Sequence, residues 1–345
     1  MNCNSINIQH ASKICIVDFV NFEEIFNQIP QDAYWITDSK IYSLWQNNWP
    51  KNLNWYVLPS DERTKSFESY LQCIEWLFSQ NADRNTTLVA LGGGVITDLV
   101  GYVASSYKRG VNYYAIPTTL LGQVDASIGG KVGINLRYGK NLIGSFYPPE
   151  KILLCLDFLE TLDLRQFNSG SAEIWKYAFI YKPELLHYLM DQPLRTNSKN
   201  LYEIIHDCIS IKKHYIEIDE FDRTDQRSQL NFGHTIGHAI ESVSGYQSLY
   251  HGEAISIGMI LETILSEKIG ISEPGLANQI KSGLSSQGLP SELPFHLDRR
   301  LLMEAIKHDK KNSKQNLAFS LLSTFGQCKL YKNIDPNDVF QVLNP

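Results

Sequence analysis

The sequence has no excess of positive charge, no long apolar segment and no paired cysteine motif. Its 345 residues include 31 lysines and arginines against 37 aspartates and glutamates, a formal net charge of -6. Nucleic-acid-binding proteins usually carry a basic excess, so this balance argues against a polyanionic partner. A small anionic ligand remains compatible with the composition.

The 6 cysteines are scattered along the chain. Their spacing predicts neither a disulfide framework nor a thiolate zinc site, and reduced thiols of a cytosol are the simplest interpretation. The chain has no run of about 18 apolar residues, and its first residues lack a basic region followed by a long apolar stretch. We therefore expect a cytoplasmic protein with no membrane partner.

The first half of the chain alternates short β-rich runs with amphipathic stretches, which predicts a parallel sheet covered by helices. The predicted strands are 13–19, 34–38, 54–59, 86–91, 112–117 and 152–157. Between the third and fourth, six apolar residues recur at helical spacing and predict a helix that packs this face on the sheet. They are Phe67, Tyr70, Leu71, Ile74, Leu77 and Phe78.

After residue 160 helical patterns replace the β-rich runs. They cover 170–192, 199–218, 228–244, 252–268, 274–287 and 299–308. We predict an α/β fold with a sheet-containing domain over 1–160 and a mainly α-helical domain over 161–345. With 43% apolar residues, the chain is long enough for a core in each domain.

A glycine-rich turn, Gly92-Gly93-Gly94, joins the predicted strand 86–91 to a helix. Glycines between a strand and a helix let main-chain N–H groups approach a pyrophosphate at the positive end of the helix dipole. The turn therefore favours a dinucleotide, although it is not the G-x-G-x-x-G fingerprint. Asp38, at the end of an earlier strand, is a candidate ribose ligand or a helix-capping residue.

The segment 227–241 carries a polar stripe. On one helix, Arg227, Asn231, His234 and His238 follow i, i+4, i+7, i+11 spacing. Such a stripe is too polar for a core, and the flanking glycines cost helix stability of roughly 1 kcal/mol each without a packing or ligand reason. We interpret the stripe as part of a ligand site.

Two histidines and a carboxylate would hold a divalent ion and leave coordination positions open, as in catalytic sites. His251 opens the next predicted helix, and Glu173 and Lys176 share a face of an earlier one at i, i+3 spacing. Spacing alone does not decide between His234 with His238 and His234 with His251.

A glycine-rich stretch, 117–149, carries Asp125, Lys131, Lys140 and Asn141. Lysines among glycines suit an anionic ligand that the main chain approaches closely, and ordinary surface lysines are the alternative interpretation. Asp309-Lys310-Lys311, near the end of the sequence, is by default a solvated charge run.

Taken together, these segments closely resemble the 3-dehydroquinate synthase family of sugar-phosphate cyclases, which are related to glycerol dehydrogenases. The resemblance runs from DERTK at 61 to DKK at 309, through LGGGVITDLVGYVASSYKRG, IPTTLLGQVDASIGGKVGIN, GKNLIGSFYPP, GSAEIWKY, LNFGHTIGHAIE and HGEAISIGM. It implies a homodimer with an N-terminal, Rossmann-like dinucleotide-binding domain over 1–160 and a mainly α-helical domain over 161–345 that binds metal and substrate. The implied reaction converts 3-deoxy-D-arabino-heptulosonate 7-phosphate to 3-dehydroquinate and phosphate, in the shikimate pathway towards chorismate and the aromatic amino acids.

The resemblance also implies the site residues. The metal, zinc or cobalt, falls on Glu173, His234 and His251. The implied NAD ligands are Asp38, Glu62, Lys65, Gly93, Gly94, Asp98, Thr118, Thr119, Asp125, Lys140, Thr161 and Leu162. The implied catalytic and substrate-binding residues are Lys131, Asn141, Lys176, Lys212, Arg227, Asn231, His238 and Lys310, with Arg109 from the partner subunit. The loop DEFDRTDQR, at 219–227, is one residue longer than in the family and leaves the carboxylate-binding lysine open between Lys212 and Lys213. We favour Lys212 because of its distance to Asp219-Glu220.

The implied reaction is redox-neutral: NAD oxidises the substrate transiently, phosphate is eliminated, and re-reduction, ring opening and aldol cyclisation follow. A cyclase for sedoheptulose 7-phosphate or glucose 6-phosphate is a competing interpretation. Arg227, Lys212 and Asn231 argue against it, because buried cations that face no substrate carboxylate are costly. A metal-dependent NAD alcohol dehydrogenase and a non-catalytic homologue compete more weakly.

Overall fold

The computed structural model describes residues 5–137, 139–245, 248–307 and 317–344. The chain divides into two compact units, 1–163 with 212–221 and 164–211 with 222–345. The sequence places 212–221 in the second domain, whereas the structure assigns this segment to the first unit. No helix of the described residues is both long and apolar enough to cross a membrane.

The first unit is built on a seven-stranded sheet of order β1-β2-β9-β6-β5-β3-β4, and it also contains a two-stranded sheet of β7 and β8. The strands are β1 Ile6–Gln9, β2 Ile14–Phe19, β3 Tyr34–Asp38, β4 Asn54–Leu58, β5 Thr87–Gly92, β6 Asn112–Pro117, β7 Lys131–Leu136, β8 Gly139–Phe146 and β9 Lys151–Leu154. All six strands predicted from the sequence lie in the larger sheet.

The direction of winding in this sheet reverses between β3 and β5. Strand β4 follows β3 in the chain and lies on one side of it, while β5 lies parallel on the other side. Strands β6, β9 and β2 continue the parallel sheet beyond β5, and β1 alone is antiparallel. In such sheets, ligands bind outside the carboxyl ends of the strands at the point of reversal.

The helices of the first unit are α1 Phe22–Ile25, α2 Ser39–Leu44, α3 Phe67–Ser79 and α4 Gly94–Ser106. The predicted inward face of α3 is wrong for three of its six residues: Phe67, Leu71 and Phe78 are 51%, 42% and 72% exposed. The buried stripe is Ser69, Cys73 and Leu77 at i, i+4, i+8. Two small side chains on this stripe let the helix approach its neighbours closely.

The second unit is mainly helical, as its sequence pattern indicates. Its elements are α5 Leu164–Ile180, α6 Leu186–Asp191, the first part of α7 Leu201–Ile218, α8 His234–Val243, α9 His251–Lys268, α10 Leu276–Ser286, α11 Arg299–Lys307, β10 Leu317–Thr324, β11 Gln327–Ile334 and α12 Pro336–Leu343. The hairpin of β10 and β11 was not predicted from the sequence.

The single helix predicted over 228–244 is wrong. Arg227–Asn231 forms a short 3-10 helix, and α8 begins at His234. The chain breaks between them because Phe232 is extended (ψ 128°) and Gly233 adopts a left-handed conformation (φ 79°). Glycine accepts this conformation without the steric cost that other residues incur. His234 therefore lies on the first turn of a new helix.

Candidate active site

In the first unit, candidate dinucleotide ligands meet at the carboxyl ends of neighbouring parallel strands. Gly93 caps α4, and the main-chain N–H of Thr118 donates to the Gly92 oxygen at 3.0 Å. A Cβ added to Gly93 would lie 3.0 Å from Thr119 Cγ2, so the two turns are in close contact. Thr118 Oγ1 is buried without a hydrogen-bond partner among the described residues.

Asp38 lies at the end of β3 and caps α2. Its Oδ1 accepts hydrogen bonds from the main-chain N–H groups of Lys40 and Ile41 at 2.9 and 3.0 Å. The capping interpretation of Asp38 is therefore confirmed, and its contact with a ribose stays a prediction. The position, beside the reversal point between β3 and β5, is where a dinucleotide-binding carboxylate is expected.

Lys65 connects two other candidate residues. Its buried Nζ contacts Asp98 Oδ2 on α4 and donates to Asn141 Oδ1 at 2.6 Å. Burial raises the pKa of Asp98, against the lowering effect of Lys65. Asn141, which has a left-handed backbone (φ 55°), is thereby fixed next to a candidate cofactor residue.

Asn135 organises the neighbouring contacts, and sequence reasoning missed it. Its Nδ2 donates to Glu62 Oε1 at 2.9 Å, and its Oδ1 accepts from the Asn141 main-chain N–H at 3.0 Å. Lys140 Nζ lies 3.7 Å from the same Glu62 oxygen. The only sequence signal was the position of Asn135 within the resembling segment IPTTLLGQVDASIGGKVGIN.

Asp125 is held by Lys212, which comes from α7. Lys212 Nζ lies 3.0 Å from Asp125 Oδ1 and donates to the Asp125 main-chain oxygen at 2.5 Å. Lys213 is less buried and pairs with Glu217 at 2.7 Å on the same helix. This geometry favours Lys212 over Lys213 as the site lysine.

Four further predicted residues also lie in the first unit. Thr161 Oγ1 accepts from Trp45 Nε1 at 3.3 Å, and Leu162 follows the same turn. Lys131 begins β7, with its Nζ 5.9 Å from the ring centroid of Phe146. Arg109 is exposed and has a left-handed backbone (φ 71°).

In the second unit, α5 carries two buried charges. Lys176 Nζ pairs with Glu173 Oε2, so the predicted shared face at i, i+3 is confirmed. Apart from this ion pair, neither carboxylate oxygen of the fully buried Glu173 accepts a hydrogen bond from the described residues. A buried carboxylate that accepts no hydrogen bonds is a strong candidate for a metal ligand.

Two histidines converge on the same carboxylate. Nε2 of His234 and Nε2 of His251 each lie 3.4 Å from Glu173 Oε1. The ligand atoms of these three residues all lie within 4.8 Å of one another. Between the two histidine pairs that spacing left open, the geometry therefore supports His234 with His251. Two imidazoles and one carboxylate suit a zinc or similar divalent ion.

The ionisation of these residues follows from their surroundings. Burial disfavours the charged form of Glu173, but Lys176 and His234 outweigh it and hold its pKa well below the usual range. Burial and Lys176 lower the pKa of His234. Burial also disfavours charge on His251, yet Glu241 and Glu173 raise its pKa to about 10.

The two helices that carry these histidines touch through their main chains. A Cβ added to Gly258 on α9 would lie 2.0 Å from the Gly233 oxygen, at the start of α8. Glu262, also on α9, accepts hydrogen bonds from the N–H groups of Gly233 and Ile236 at 2.7 and 3.0 Å. This buried carboxylate caps α8. It thereby stabilises the interruption at Gly233, after which His234 begins the new helix.

The remaining predicted residues of the second unit differ in exposure. His238 is exposed, and its ring centroid lies 5.2 Å from that of His234 and 6.1 Å from that of His251. Arg227 is buried, and Asn231 Nδ2 donates to the Ser228 main-chain oxygen at 3.2 Å. Lys310 lies outside the described residues.

The fold is that of the sugar-phosphate cyclases. A crystal structure of 2-deoxy-scyllo-inosose synthase, complexed with carbaglucose-6-phosphate, NAD+ and Co2+, is similar over 99% of each chain with a TM-score of 0.87 and 25% identity. The 2-epi-5-epi-valiolone synthase of Streptomyces hygroscopicus, solved with NAD+ and Zn2+, matches over 95% of each chain with a TM-score of 0.86 and 23% identity.

The sequence comparisons are more specific. Residues 55–169 match the family model described as 3-dehydroquinate synthase N-terminal, and residues 170–312 match the model described as 3-dehydroquinate synthase C-terminal. The 3-dehydroquinate synthase of Dictyoglomus turgidum is 40% identical over 293 residues, which are 84% of this chain and 82% of the relative. The chain belongs to the 3-dehydroquinate synthase family.

Proposed function

We propose that the chain converts 3-deoxy-D-arabino-heptulosonate 7-phosphate to 3-dehydroquinate and phosphate. The observation that carries the proposal is the convergence of His234 and His251 on the buried carboxylate of Glu173. Membership of the family supports this substrate over a sugar phosphate without a carboxylate.

The proposed metal ligands are Glu173, His234 and His251, with zinc or cobalt as the ion. The residues fit such an ion, since beyond its ion pair with Lys176 the buried Glu173 carboxylate accepts no hydrogen bond from the described residues, and Nε2 of each histidine lies 3.4 Å from Oε1. Cyclases of the same fold are solved with Co2+ or Zn2+. Three protein ligands leave positions for substrate oxygens.

The proposed NAD site lies at the carboxyl ends of β3, β5 and β6. Gly93 and Gly94 would present the N-terminus of α4 to the pyrophosphate, and Asp38 would contact a ribose. The other proposed ligands are Glu62, Lys65, Asp98, Thr118, Thr119, Asp125, Lys140, Thr161 and Leu162. When bound, NAD supplies a reversible hydride acceptor and the metal supplies a Lewis acid for substrate hydroxyls.

The substrate contacts are assigned by charge. Lys212 and Arg227 would bind the carboxylate, and His238 with Lys131 and Asn231 would bind the leaving phosphate, whose charge increases during elimination. Asn141, Lys176 and Lys310 complete the proposed set of substrate-binding residues. Lys176 also neutralises Glu173, which lets an ionised carboxylate remain in a buried position.

We further propose a cytoplasmic homodimer in which Arg109 of the partner subunit reaches the phosphate. The exposed position of Arg109 supports this role. Mixing R109A chains with E173Q chains tests it. If Arg109 acts across the subunits, random exchange restores about a quarter of the wild-type activity, because half of the dimers then contain one complete site. A mixture without activity would show that Arg109 acts within its own chain.

The proposed reaction is tested by phosphate release from 3-deoxy-D-arabino-heptulosonate 7-phosphate with metal-loaded protein and catalytic NAD. The product is identified by mass, and E173Q and sedoheptulose 7-phosphate are the controls. Turnover of the acidic sugar without net NADH is the expected result. Turnover of sedoheptulose 7-phosphate alone would assign another cyclase reaction, and net NADH would assign a dehydrogenase.

A further inference from the structure

Glu241 is a buried carboxylate that the proposed ligand set does not use. It lies on α8, seven residues after His234 and therefore on the same face of the helix, and it is 3% exposed. Its Oε2 lies 3.3 Å from Nδ1 of His251. A carboxylate is costly to bury, so a specific contact with a ring nitrogen needs a physical explanation.

The two ring nitrogens of His251 face different groups. Nε2 lies 3.4 Å from Glu173 Oε1, while Nδ1 faces Glu241. His234 repeats this arrangement, with Nε2 at 3.4 Å from the same Glu173 oxygen and Nδ1 at 3.1 Å from the Phe232 main-chain oxygen. Each histidine therefore has an acceptor at Nδ1 and directs Nε2 to the proposed metal position.

A neutral imidazole has one N–H donor and one acceptor nitrogen. An acceptor beside Nδ1 holds the proton there and leaves the lone pair of Nε2 for the metal. Metal-binding histidines usually donate the second ring N–H to a carboxylate or a main-chain oxygen, which fixes the ring and increases its basicity. Here the Phe232 oxygen serves His234, and the stronger acceptor, Glu241, serves His251.

We propose that Glu241 is a positioning residue for the metal-binding nitrogen of His251. This inference rests on the proposed metal site, and it adds a residue that binds neither metal nor substrate. The ligand atoms of His238, Glu241 and His251 also lie within 4.8 Å of one another, so a second ion is the competing explanation. In that case Glu241 would be a ligand instead.

The affinity for Zn2+, measured by competition with a chromophoric chelator, tests the proposal. E241Q keeps the shape of the side chain and removes its charge, and we expect the Kd for Zn2+ to rise roughly 10–100-fold. E267Q is the matched control. Glu267, on α9, accepts from the main-chain N–H groups of Gly275 and Ala277, so the same substitution there should leave the Kd unchanged.

A double-mutant cycle separates positioning from a general structural effect. If Glu241 acts through His251, E241Q changes the Kd no further in a chain that already carries H251A. The proposal is overturned if E241Q binds Zn2+ as tightly as the wild type, or if its effect persists fully beside H251A. It is also overturned if the wild type binds two Zn2+ ions and E241Q binds one.

The same titration separates this inference from the proposed function. Wild-type protein that binds Zn2+ while E241Q keeps the same Kd would overturn the role of Glu241 alone. Wild-type protein that binds no Zn2+ would overturn both the metal site and this role.

Discussion

Lys212 and Asp125 are joined by two contacts, since one ammonium group lies 3.0 Å from Oδ1 and donates at 2.5 Å to the main-chain oxygen of the same residue. The neighbouring Lys213 instead pairs with Glu217 along α7. Two adjacent lysines on one helix thus have different partners, because successive side chains point about 100° apart.

This difference predicts unequal effects of two matched substitutions. K212A should lower kcat/KM roughly 10–100-fold, because a hydrogen bond to a charged group contributes about 1.5–3 kcal/mol. K213A removes a more exposed pair and should stay within about twofold of the wild type. Phosphate-release kinetics on both variants measure the effect. An equal or larger loss in K213A would contradict the assignment of Lys212.

The buried pair of Glu173 and Lys176 predicts a loss of stability that is separate from catalysis. E173Q leaves the Lys176 ammonium uncompensated, so the metal-free protein should lose about 3–5 kcal/mol of unfolding free energy. The double variant E173Q/K176M should recover much of this stability without recovering metal binding or activity. Urea unfolding and metal analysis measure the two effects. A double variant no more stable than E173Q would contradict the explanation.

The main-chain contact between α8 and α9 predicts that G258A is destabilising. Alanine in place of glycine usually stabilises a helix by about 1 kcal/mol. Here the added Cβ would meet the Gly233 oxygen at 2.0 Å, and we expect a net loss of about 1–3 kcal/mol from overpacking. G94A is the control, because its Cβ would meet Ala126 Cβ at an ordinary 3.5 Å. Thermal unfolding compares the two, and equal midpoints would contradict the clash.

The thiol of Cys73 predicts a specific loss of stability at high pH. Burial raises the pKa of Cys73 from 9.0 to about 12. Between these values the unfolded chain loses the proton and the folded chain keeps it, so stability is complete below pH 9 and decreases as the pH rises towards 12. C73A removes this contribution. The unfolding free energy of C73A should therefore decrease less steeply with pH than that of the wild type, and the two slopes should differ by about 1.4 kcal/mol per pH unit.

Urea unfolding of the wild type and C73A at several pH values between 8 and 11 measures this slope. The cavity left by C73A lowers stability at every pH and therefore cancels in the comparison of slopes. Identical slopes would show that the folded thiol ionises as readily as the unfolded one.

The larger sheet could be predicted from the sequence because its strands are recognisable as short apolar, β-rich runs. Strand β5 is almost completely buried and reads as a continuous apolar run, which is typical of a parallel strand covered on both faces. Strand β8 alternates partly buried and exposed residues among glycines, so its sequence carries no comparable apolar pattern. The β7 and β8 hairpin was missed for this reason.

The candidate site was predictable in part. The pairing of Glu173 with Lys176 follows from helical spacing alone, whereas the break before His234 depends on Gly233 and on Glu262 from another helix. A helical pattern in the sequence cannot reveal a contact between two residues that are 29 positions apart. The same limit explains why the sequence predicts no role for Glu241, although it lies within the segment LNFGHTIGHAIE: its partner is on α9.

The contact between Gly233 and Gly258 sets a lower limit on how closely α8 and α9, the helices that carry His234 and His251, can approach. No side chain lies between these main-chain atoms, so the limit is a sum of van der Waals radii and does not vary with the rotamers of neighbouring residues. Substitutions elsewhere in the core can alter what surrounds α8 and α9 without shortening this distance. A smaller ion at the proposed site therefore could not be accommodated by a closer approach of α8 and α9 at this contact, and the torsion angles of His234 and His251 would have to change instead.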